Sequence, residues 1–469
     1  MSFLASQRRW YIQWKCFYAA GVIQIIAWPN KWPEGRHDMK RLVTHRFFPL
    51  LSLVLFFVAV MHAGITEAVT FHIADDPTGG DCVSFASWDA KTKTCTLTAD
   101  LVGDGIEIIS NGVTLNGNGH SIRDTEQEDC AACHNAGHTY DSCTGITLNG
   151  VSGVTVTHVT VDNFCVGIGL HGVSDAAVTH NTVLNNVRGI YLDSSNQNRI
   201  VANYSYAQEN GIFLYESWYN TITGNFDAAS SSGKITLIDS SYNNIVGNEL
   251  HHYNDEFVNG IRMSGSHDNT VAGNWIEHVS IGLKLEPYSG NNTVMNNNFV
   301  DSVVQAKVYE AGNTFTGNYW SDYDSEAEGC EDGDTNGVCD TGYELDEGED
   351  ASANITFTAA AATVEISPNV IKTKTQEKKT ITAYIEIPGY APEEVTVESV
   401  RLVTGNGYIW ATETPSAVGD YDGDGVPELM VKFNKELVKM ILSPGLNEGT
   451  VVGALAGNTF KGVVFITLE

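Results

Sequence analysis

The feature that most constrains the fold is a glycine followed by an aliphatic residue, which recurs along the middle of the chain. The first four copies begin at positions 145, 167, 189 and 211, and the last two begin at 260 and 282 with the same spacing. Gly233-Lys234-Ile235 fills the gap between the two groups with a one-residue slip. A single coil cannot bury its aliphatic side chains alone, whereas stacked coils form parallel sheets around a continuous core. The repeat therefore predicts an all-β chain built on a right-handed parallel β-helix, with about 22 residues per coil. The copies are Gly145-Ile146, Gly167-Ile168, Gly189-Ile190, Gly211-Ile212, Gly260-Ile261 and Gly282-Leu283.

An asparagine column accompanies this repeat. The pattern Asn-Thr-(Ile/Val/Phe)-x-Gly-Asn spans 220–225, 269–274 and 313–318, and His158 takes the place of the final Asn in the first copy. Asparagine tolerates left-handed backbone at a sharp turn, and stacked amides hydrogen-bond from one layer to the next. We therefore predict that the final Asn of each copy is left-handed and joins a ladder. Degenerate copies end at Asn181, Asn203, Asn248 and Asn297.

A loop is predicted to project from the wall of the β-helix. The interval from Gly105 to Gly145 is nearly two periods long, but it holds the pattern of only one coil. Removing the segment around 126–143 restores a single period.

The rest of the chain divides by composition. A basic stretch over 39–46, an apolar run over 47–63 and a small-residue site at 66–68 follow the order of a signal peptide. We therefore predict export to the periplasm or the extracellular surface, with membrane attachment only through this segment. A net charge of −31 argues against a nucleic-acid partner. The predicted boundaries are 1–38 for a mis-assigned upstream extension, 39–68 for the signal peptide or anchor, 69–320 for the β-helix, 321–361 for an acidic linker and 362–469 for a β-sandwich.

Several motifs resemble those of a known family. Asn318-Tyr319-Trp320-Ser321-Asp322-Tyr323, followed by an acidic loop and Asp340-Thr341-Gly342-Tyr343, resembles the end of NosD-like β-helix proteins, and 94–98 and 111–120 look like their first coils. The resemblance implies the carbohydrate-binding and sugar-hydrolase type of β-helix, found in exported proteins of bacteria and archaea, with named members linked to copper delivery. The segment 363–469 is similar to a β-sandwich module that ends many secreted proteins.

Two acidic stretches have the spacing of calcium loops. Oxygen ligands at positions 1, 3, 5 and 9, with Gly at position 6 for the tight turn, suit a hard cation such as Ca²⁺, although neither stretch has the bidentate Glu of a full EF-hand. A solvated acidic turn is the alternative. The predicted ligands are Asp332, Asp334, Asn336 and Asp340 in the first stretch, and Asp420, Asp422, Asp424 and Glu428 in the second.

The predicted loop carries the motif Cys130-Ala131-Ala132-Cys133-His134. In exported proteins this C-x-x-C-H spacing attaches c-type haem, with His138 available as the distal ligand. Cys130, Cys133, His134 and His138 would also suit zinc or copper, and disulfides or plain thiols are a third possibility.

Three disulfides are predicted from the remaining cysteines. Cys143 and Cys165 lie one period apart, which would place them on stacked coils within disulfide range. Two further pairs bracket short segments, namely Cys82 with Cys95 and Cys330 with Cys339.

One outward face of the coils combines aromatic rings, cations and carboxylates. Rings stack on sugars, and cations hold uronate carboxylates. A carboxylate pair can act as acid and base in glycoside hydrolysis, and a lysine can act as base in an elimination. The predicted substrate-binding residues are Tyr191, Phe213, Tyr215, Arg262 and Lys284, and the catalytic candidates are Asp193, Glu286 and Lys284.

These patterns support three functions. The leading interpretation is an exported cell-surface or periplasmic β-helix protein that binds a polysaccharide or cell-surface glycan through the outward face. The alternatives are a polysaccharide lyase, hydrolase or epimerase, and a metal-handling or c-type haem redox protein that uses the Cys130–His138 loop. No catalytic signature is recognisable. The β-helix fold does not indicate a chemistry by itself, because one fold supports many functions.

Overall fold

A computed structural model describes residues 70–125, 130, 143–206, 208–252, 257–372 and 379–469. The upstream extension and the signal peptide or anchor predicted within 1–68 lie outside these residues. Within them, no helix is both long enough and apolar enough to cross a membrane.

The predicted β-helix is present, and its strands form three long sheets that run along the helix axis. Each coil contributes one strand to each sheet, and equivalent strands of consecutive coils pair in parallel. At the two ends of sheet 2, the outermost strands Ala86–Asp89 and Tyr343–Leu345 pair antiparallel with their neighbours. Sheet 1 contains Thr70–Ile73, Gly105–Ile108, Thr144–Asn149, Val166–His171, Arg188–Asp193, Asn210–Tyr215, Gly233–Ile238, Asn259–Ser264, Ile281–Leu285 and Val304–Val308. Sheet 2 contains Ala86–Asp89, Thr94–Leu97, Thr114–Asn116, Thr155–Thr157, Ala177–Thr179, Arg199–Val201, Thr221–Thr223, Asn244–Val246, Thr270–Ala272, Thr293–Met295, Thr314–Thr316, Tyr343–Leu345 and Gly348–Asp350. Sheet 3 contains Leu101–Val102, Ser121–Arg123, Thr160–Asp162, Thr182–Leu184, Tyr204–Tyr206, Phe226–Asp227, Glu249–His251, Trp275–Glu277, Asn298–Val300 and Tyr319–Trp320.

The glycine–aliphatic repeat forms sheet 1. Ile146, Ile168 and Ile190 stack in register and are fully buried in the continuous core. The preceding glycine is required because a Cβ at Gly189 would lie 2.6 Å from the carbonyl oxygen of Gly211 on the next coil. Ile106 pairs with Ile146, so the segment between them interrupts the repeat as predicted.

The predicted asparagine ladder lies at the turn between sheets 2 and 3. The backbone N–H and the side-chain amide of Asn203 both donate to Oδ1 of Asn225, at 2.9 and 3.0 Å, and equivalent bonds run from Asn181 to Asn318. The backbone prediction was wrong, because the left-handed residue is the one before each ladder residue. His158 is such a residue, and Val159 occupies the ladder position that we had given to it. The residue before each ladder residue makes the turn. The backbone N–H of the ladder residue itself then points along the helix axis to the next coil.

A second ladder, which the sequence analysis missed, lies at the turn between sheets 1 and 2. The backbone N–H and amide of Asn220 donate to Oδ1 of Asn243 at 2.8 and 3.1 Å. Its members include the first Asn of the six-residue pattern, so the signal was in the motif. They are Asn198, Asn220, Asn243, Asn269, Asn292 and Asn313.

The acidic segment predicted as a linker closes the C-terminal end of the β-helix. Its hairpin joins sheet 2, and the Tyr343 ring stacks on Trp320 with centroids 4.4 Å apart. Buried Asp350 accepts the backbone N–H and the amide of Asn318 at 3.0 and 2.9 Å. The segment therefore terminates the ladder rather than spacing two domains.

The C-terminal domain is the predicted small β-sandwich, with its own buried core between two largely antiparallel sheets. One sheet contains Ala360–Ala361, Val370–Ile371, Arg401–Thr404, Gly407–Trp410, Gly445–Leu455 and Asn458–Leu468. The other contains Thr363–Ser367, Thr380–Glu386, Thr412–Gly419 and Glu428–Asn434. The described helices are short: Cys82–Phe85, Glu326–Glu328, Pro392–Glu394, Val397–Ser399 and Lys435–Met440.

Replacing one ladder amide should destabilise the β-helix strongly. Asn225→Ala removes the acceptor for the Asn203 N–H groups and the donor to the Ile200 carbonyl, at 2.8 Å, all in buried surroundings. We expect the free energy of unfolding to fall by about 3 kcal/mol, measured by urea denaturation. Asn149→Ala, at an exposed position, is the control and should change it by less than about 0.5 kcal/mol. Equal effects of the two changes would contradict a structural role for the ladder.

Candidate functional site

The outward face of sheet 1 brings two of the predicted aromatic residues together, buries Tyr191 and leaves Phe213 and Tyr215 partly exposed. Tyr191 and Phe213 lie on adjacent coils with ring centroids 5.7 Å apart. The Arg188 guanidinium lies over both rings, 4.5 and 4.8 Å from their centroids, and Tyr191 is only 4% exposed. Tyr191 therefore offers little ring surface for the predicted stacking on a sugar, because Arg188 lies over it.

The two predicted cations of this face share one carboxylate. Arg262 and Lys284 lie on adjacent coils, and Glu286 accepts hydrogen bonds from them at 2.8 and 2.7 Å. Burial favours the neutral form of Glu286, but the hydrogen bonds from Arg262 and Lys284 outweigh it and lower its pKa to about 2. Both predicted cations thus already contact an internal carboxylate.

The catalytic candidates do not form an acid–base pair. Asp193 aligns with Tyr215, and the same column continues through Ser264 to the coil of Glu286. The four intervening steps of the helix separate Asp193 from Glu286 by about 19 Å, at roughly 4.8 Å per coil. Paired carboxylates of glycosidases lie about 5 to 10 Å apart.

A different set of aromatic side chains is accessible at the turn between sheets 1 and 2. Trp218, Tyr219 and Tyr242, which we call the aromatic ridge, are 39%, 59% and 47% exposed. The rings of Tyr219 and Tyr242 are stacked, with centroids 5.0 Å apart and planes 11° from parallel. Each tyrosine directly precedes a residue of the second ladder, so the bond from Asn220 to Asn243 aligns the two rings. Without the second ladder, nothing in the sequence indicates that Tyr219 and Tyr242 lie next to each other.

The surroundings of the ridge are acidic. The negative charge of Asp268, together with a hydrogen bond to it, raises the pKa of the Tyr242 phenol. On the neighbouring surface, Glu216 and Asp239 raise the pKa of Tyr215. The ridge thus combines exposed apolar rings with carboxylate acceptors.

A cavity of about 320 Å³ lies between the outer face of sheet 3 and the β-sandwich. Its β-helix side carries Glu249, His251, Trp275 and Glu277 on two adjacent coils, and its sandwich side carries Arg401. These residues could not be grouped from the sequence, because the cavity forms only where two distant segments meet.

The charges that line this cavity are paired with one another. Arg401 forms an ion pair with Glu249, and Glu277 accepts hydrogen bonds from His251 and from the Trp275 indole, both at 2.6 Å. Burial opposes protonation of His251, but its two glutamate partners outweigh burial and raise its pKa from 6.5 to about 9. The hydrogen bond from His251 is the main cause that lowers the pKa of Glu277 to about 2. These groups keep fixed charges at neutral pH, so they fasten the sandwich rather than exchange protons.

The disulfides differ from the prediction at one place. Cys82 is bonded to Cys95 and Cys330 to Cys339, but Cys165 is bonded to Cys130 and not to Cys143. Cys130, and not Cys143 on the preceding coil, is therefore the partner of Cys165. Cys143 is itself disulfide-bonded.

The Cys130–Cys165 bond is an alternative to the predicted haem or metal site. A sulfur in a disulfide is not available to form a thioether or to bind a metal as thiolate. Cys133, His134 and His138 lie outside the described residues.

The two predicted calcium loops differ in geometry. In the second, oxygens of Asp420, Asp422 and Asp424 lie within 4.8 Å of one another, while Glu428 is buried and accepts the Tyr421 N–H at 2.7 Å. In the part of the chain that the structure describes, this is the only group of three or more His, Cys, Asp or Glu residues whose ligand atoms all lie this close together. In both loops the aspartate oxygens accept local backbone hydrogen bonds, for example from the Gly337 N–H to Asp332 and from the Gly425 N–H to Asp420. The carboxylates of Asp332, Asp334 and Asp340 in the first loop do not converge as those of the second loop do.

The comparison with family models decides the type of β-helix. The model described as "Periplasmic copper-binding protein (NosD)" matches residues 93–325. The β-helix is NosD-like. No curated protein matches the chain in sequence.

Three solved structures are similar to the chain that carries this NosD-like β-helix. The periplasmic alginate epimerase AlgG shares 15% identity at a TM-score of 0.32, over 53% of this chain and 70% of its own. The Dettilon tailspike protein (gp208) shares 12% identity at a TM-score of 0.40, over 78% and 86%. The alginate lyase from Paenibacillus sp. str. FPU-7 shares 14% identity at a TM-score of 0.25, over 47% and 95%.

The cluster of His251 with Glu249 and Glu277 predicts how the stability of the protein depends on pH. Because the pKa of His251 is raised to about 9 by folding, its contribution is complete below pH 6.5 and is lost as the pH rises through about 9. We expect the wild-type protein to lose about 3 kcal/mol more than His251→Gln between these pH values, measured by urea denaturation. Identical pH profiles of the two proteins would contradict the cluster.

Proposed function

We propose that this chain is an exported protein that binds polysaccharide without cleaving it, through the aromatic ridge of its NosD-like β-helix. The observation that carries the proposal is the exposed, stacked pair of Tyr219 and Tyr242. Aromatic faces provide large apolar contact surfaces at little entropic cost, which suits the C–H faces of sugar rings. The coil spacing of about 4.8 Å is comparable with the length of one sugar residue, so neighbouring rings can contact consecutive residues of a polymer.

The charge around the ridge indicates the class of glycan. Carboxylates such as Asp268 and Glu216 accept hydrogen bonds from sugar hydroxyl groups but repel uronate groups. The sheet 1 cations, which suggested a uronate polymer from the sequence, are engaged by Glu286. We therefore propose neutral or amino-sugar polymers as ligands.

Export is supported by the covalent structure and the family. Disulfides persist in oxidising compartments such as the periplasm and the cell exterior, and Cys82–Cys95, Cys130–Cys165 and Cys330–Cys339 are bonded. The description of the matching family is that of a periplasmic protein.

Binding without catalysis is favoured over the alternatives. The carboxylates singled out as catalytic lie four coils apart, and the carboxylates of the cavity are held ionised by His251 and Arg401. The family description also names copper. However, the one convergent group among the described residues contains three aspartates, and carboxylate oxygens suit calcium better than copper.

Affinity electrophoresis in gels containing dextran, xylan, amylose, chitosan or alginate tests the glycan proposal. We expect at least one of the first four to retard the wild-type protein, and Tyr219→Ala with Tyr242→Ala to weaken that interaction about tenfold, because two stacking contacts are lost. Tyr206→Ala removes an exposed tyrosine from sheet 3 and is the matched control, expected to bind as the wild type does. Retention by alginate alone, or undiminished binding of the double variant, would contradict the proposal.

We also propose that the Asp420–Glu428 loop holds a structural Ca²⁺, since its three aspartate oxygens converge at a turn with the spacing of a calcium loop. Excess Ca²⁺ should stabilise the wild-type protein by about 3 kcal/mol at roughly 100 times the dissociation constant. Calorimetry should show a rise in Tm with Ca²⁺ but not with Mg²⁺, and Asp422→Ala should remove it. A rise that survives in Asp422→Ala would place the ion elsewhere.

A further inference from the structure

The repeat is broken twice within one coil, and both departures lie inside the β-helix. On the inner face of sheet 3, Asp227 occupies the column of Val183, Ser205 and Leu250. On sheet 1, Lys234 occupies the glycine position of Gly211. Two charged residues therefore occur in the same coil, in columns whose neighbouring positions are uncharged.

These two residues meet in the core. The Lys234 side chain is fully buried, and its Nζ lies 3.0 Å from Oδ1 of Asp227, whose side chain is 5% exposed. A Cβ at Gly211 would lie 2.0 Å from Oδ2 of Asp227, so the absence of a side chain there makes room for the carboxyl group. An amine and a carboxyl group are thus held in contact away from solvent.

Two polar neighbours of the pair, Ser230 and His252, are placed to assist amide formation. Ser230 donates its hydroxyl to Oδ2 of Asp227 at 2.5 Å and its backbone N–H to Oδ1 at 3.1 Å, so both carboxyl oxygens are polarised. Nδ1 of His252 lies 3.5 Å from the Lys234 Nζ, within reach of a proton on the amine. An adjoining cavity of about 10 Å³, lined by Ser205 and Asp227, is about the size of one water molecule.

We propose that Asp227 and Lys234 form an intramolecular isopeptide bond inside the β-helix. The ammonium first transfers a proton to the carboxylate, which gives a neutral amine and a carboxylic acid. The amine nitrogen attacks Cγ of Asp227 to form a C–N bond, while Ser230 donates hydrogen bonds to the carboxyl oxygens. His252 accepts a proton from the attacking nitrogen and returns it to the departing hydroxyl, so that the C–O bond breaks and one water leaves. No oxidant, reductant or cofactor is needed.

The physical surroundings favour this step. Burial lowers the pKa of the Lys234 ammonium despite the attraction of Asp227, because an ion without solvent is costly. A buried ion pair recovers only part of its desolvation cost, whereas an amide carries no charge. Close, fixed placement of two reacting groups also replaces an encounter in solution.

Peptide mapping of the full-length protein tests the bond directly. Between Arg199 and Arg262 the only tryptic site is Lys234, and acylation of its amine blocks cleavage there. After reduction, unfolding and digestion, we expect residues 200–262 as one fragment, lighter than its sequence by one water molecule. Separate fragments 200–234 and 235–262 of unmodified mass would overturn the proposal and leave an ion pair only.

The chain itself supplies the control variant. Asp227→Val with Lys234→Gly restores the pattern of Val183 and Gly189 two coils earlier and preserves the packing of the coil. Its 200–262 fragment should have the full mass of its sequence, and a missing water in this variant would show that the loss arises elsewhere. Ser230→Ala keeps both reacting groups and should restore cleavage at Lys234 in part of the protein. Complete cross-linking in Ser230→Ala would overturn the role given to Ser230.

Discussion

Buried amides at the turns are the interaction on which this structure depends. At each turn a backbone N–H faces the interior, where no water can reach it, so it needs a partner within the protein. The asparagine of the next coil supplies that partner and also donates to a carbonyl of the coil before it, as Asn225 does to Ile200. Because the ladder fixes which residue lies above which, it also sets the register of all three sheets.

The same constraint positions the exposed surface. The residue before each ladder asparagine takes a left-handed conformation and points outward, which is where Tyr219 and Tyr242 lie. The flat face of sheet 1 offers less, because Arg188 lies over the Tyr191 and Phe213 rings and Glu286 contacts Arg262 and Lys284. In a solenoid of this kind, the accessible chemistry is thus found at a turn rather than on the widest sheet.

The sequence predicted the scaffold well because its signals are local and periodic. The constant spacing of the repeat placed Ile146, Ile168 and Ile190 in one column, and the loop before Gly145 followed from the missing step. Ion pairs and disulfides between distant segments could not be predicted from such local signals. Arg401 and Glu249 belong to different domains, and nothing in either local sequence indicates their ion pair. The Cys130–Cys165 bond was missed for the same reason, since the one-period rule pairs only cysteines on stacked coils.

A crystal structure of the protein with a bound oligosaccharide tests the central claim most directly. The ligand should be a short fragment of whichever neutral or amino-sugar polymer retards the protein in gels. The account predicts sugar rings stacked on Tyr219 and Tyr242, with hydroxyl groups hydrogen-bonded to the carboxylates beside them. A sugar bound instead on the outer face of sheet 1, or in the cavity beside Trp275 and Arg401, would contradict it.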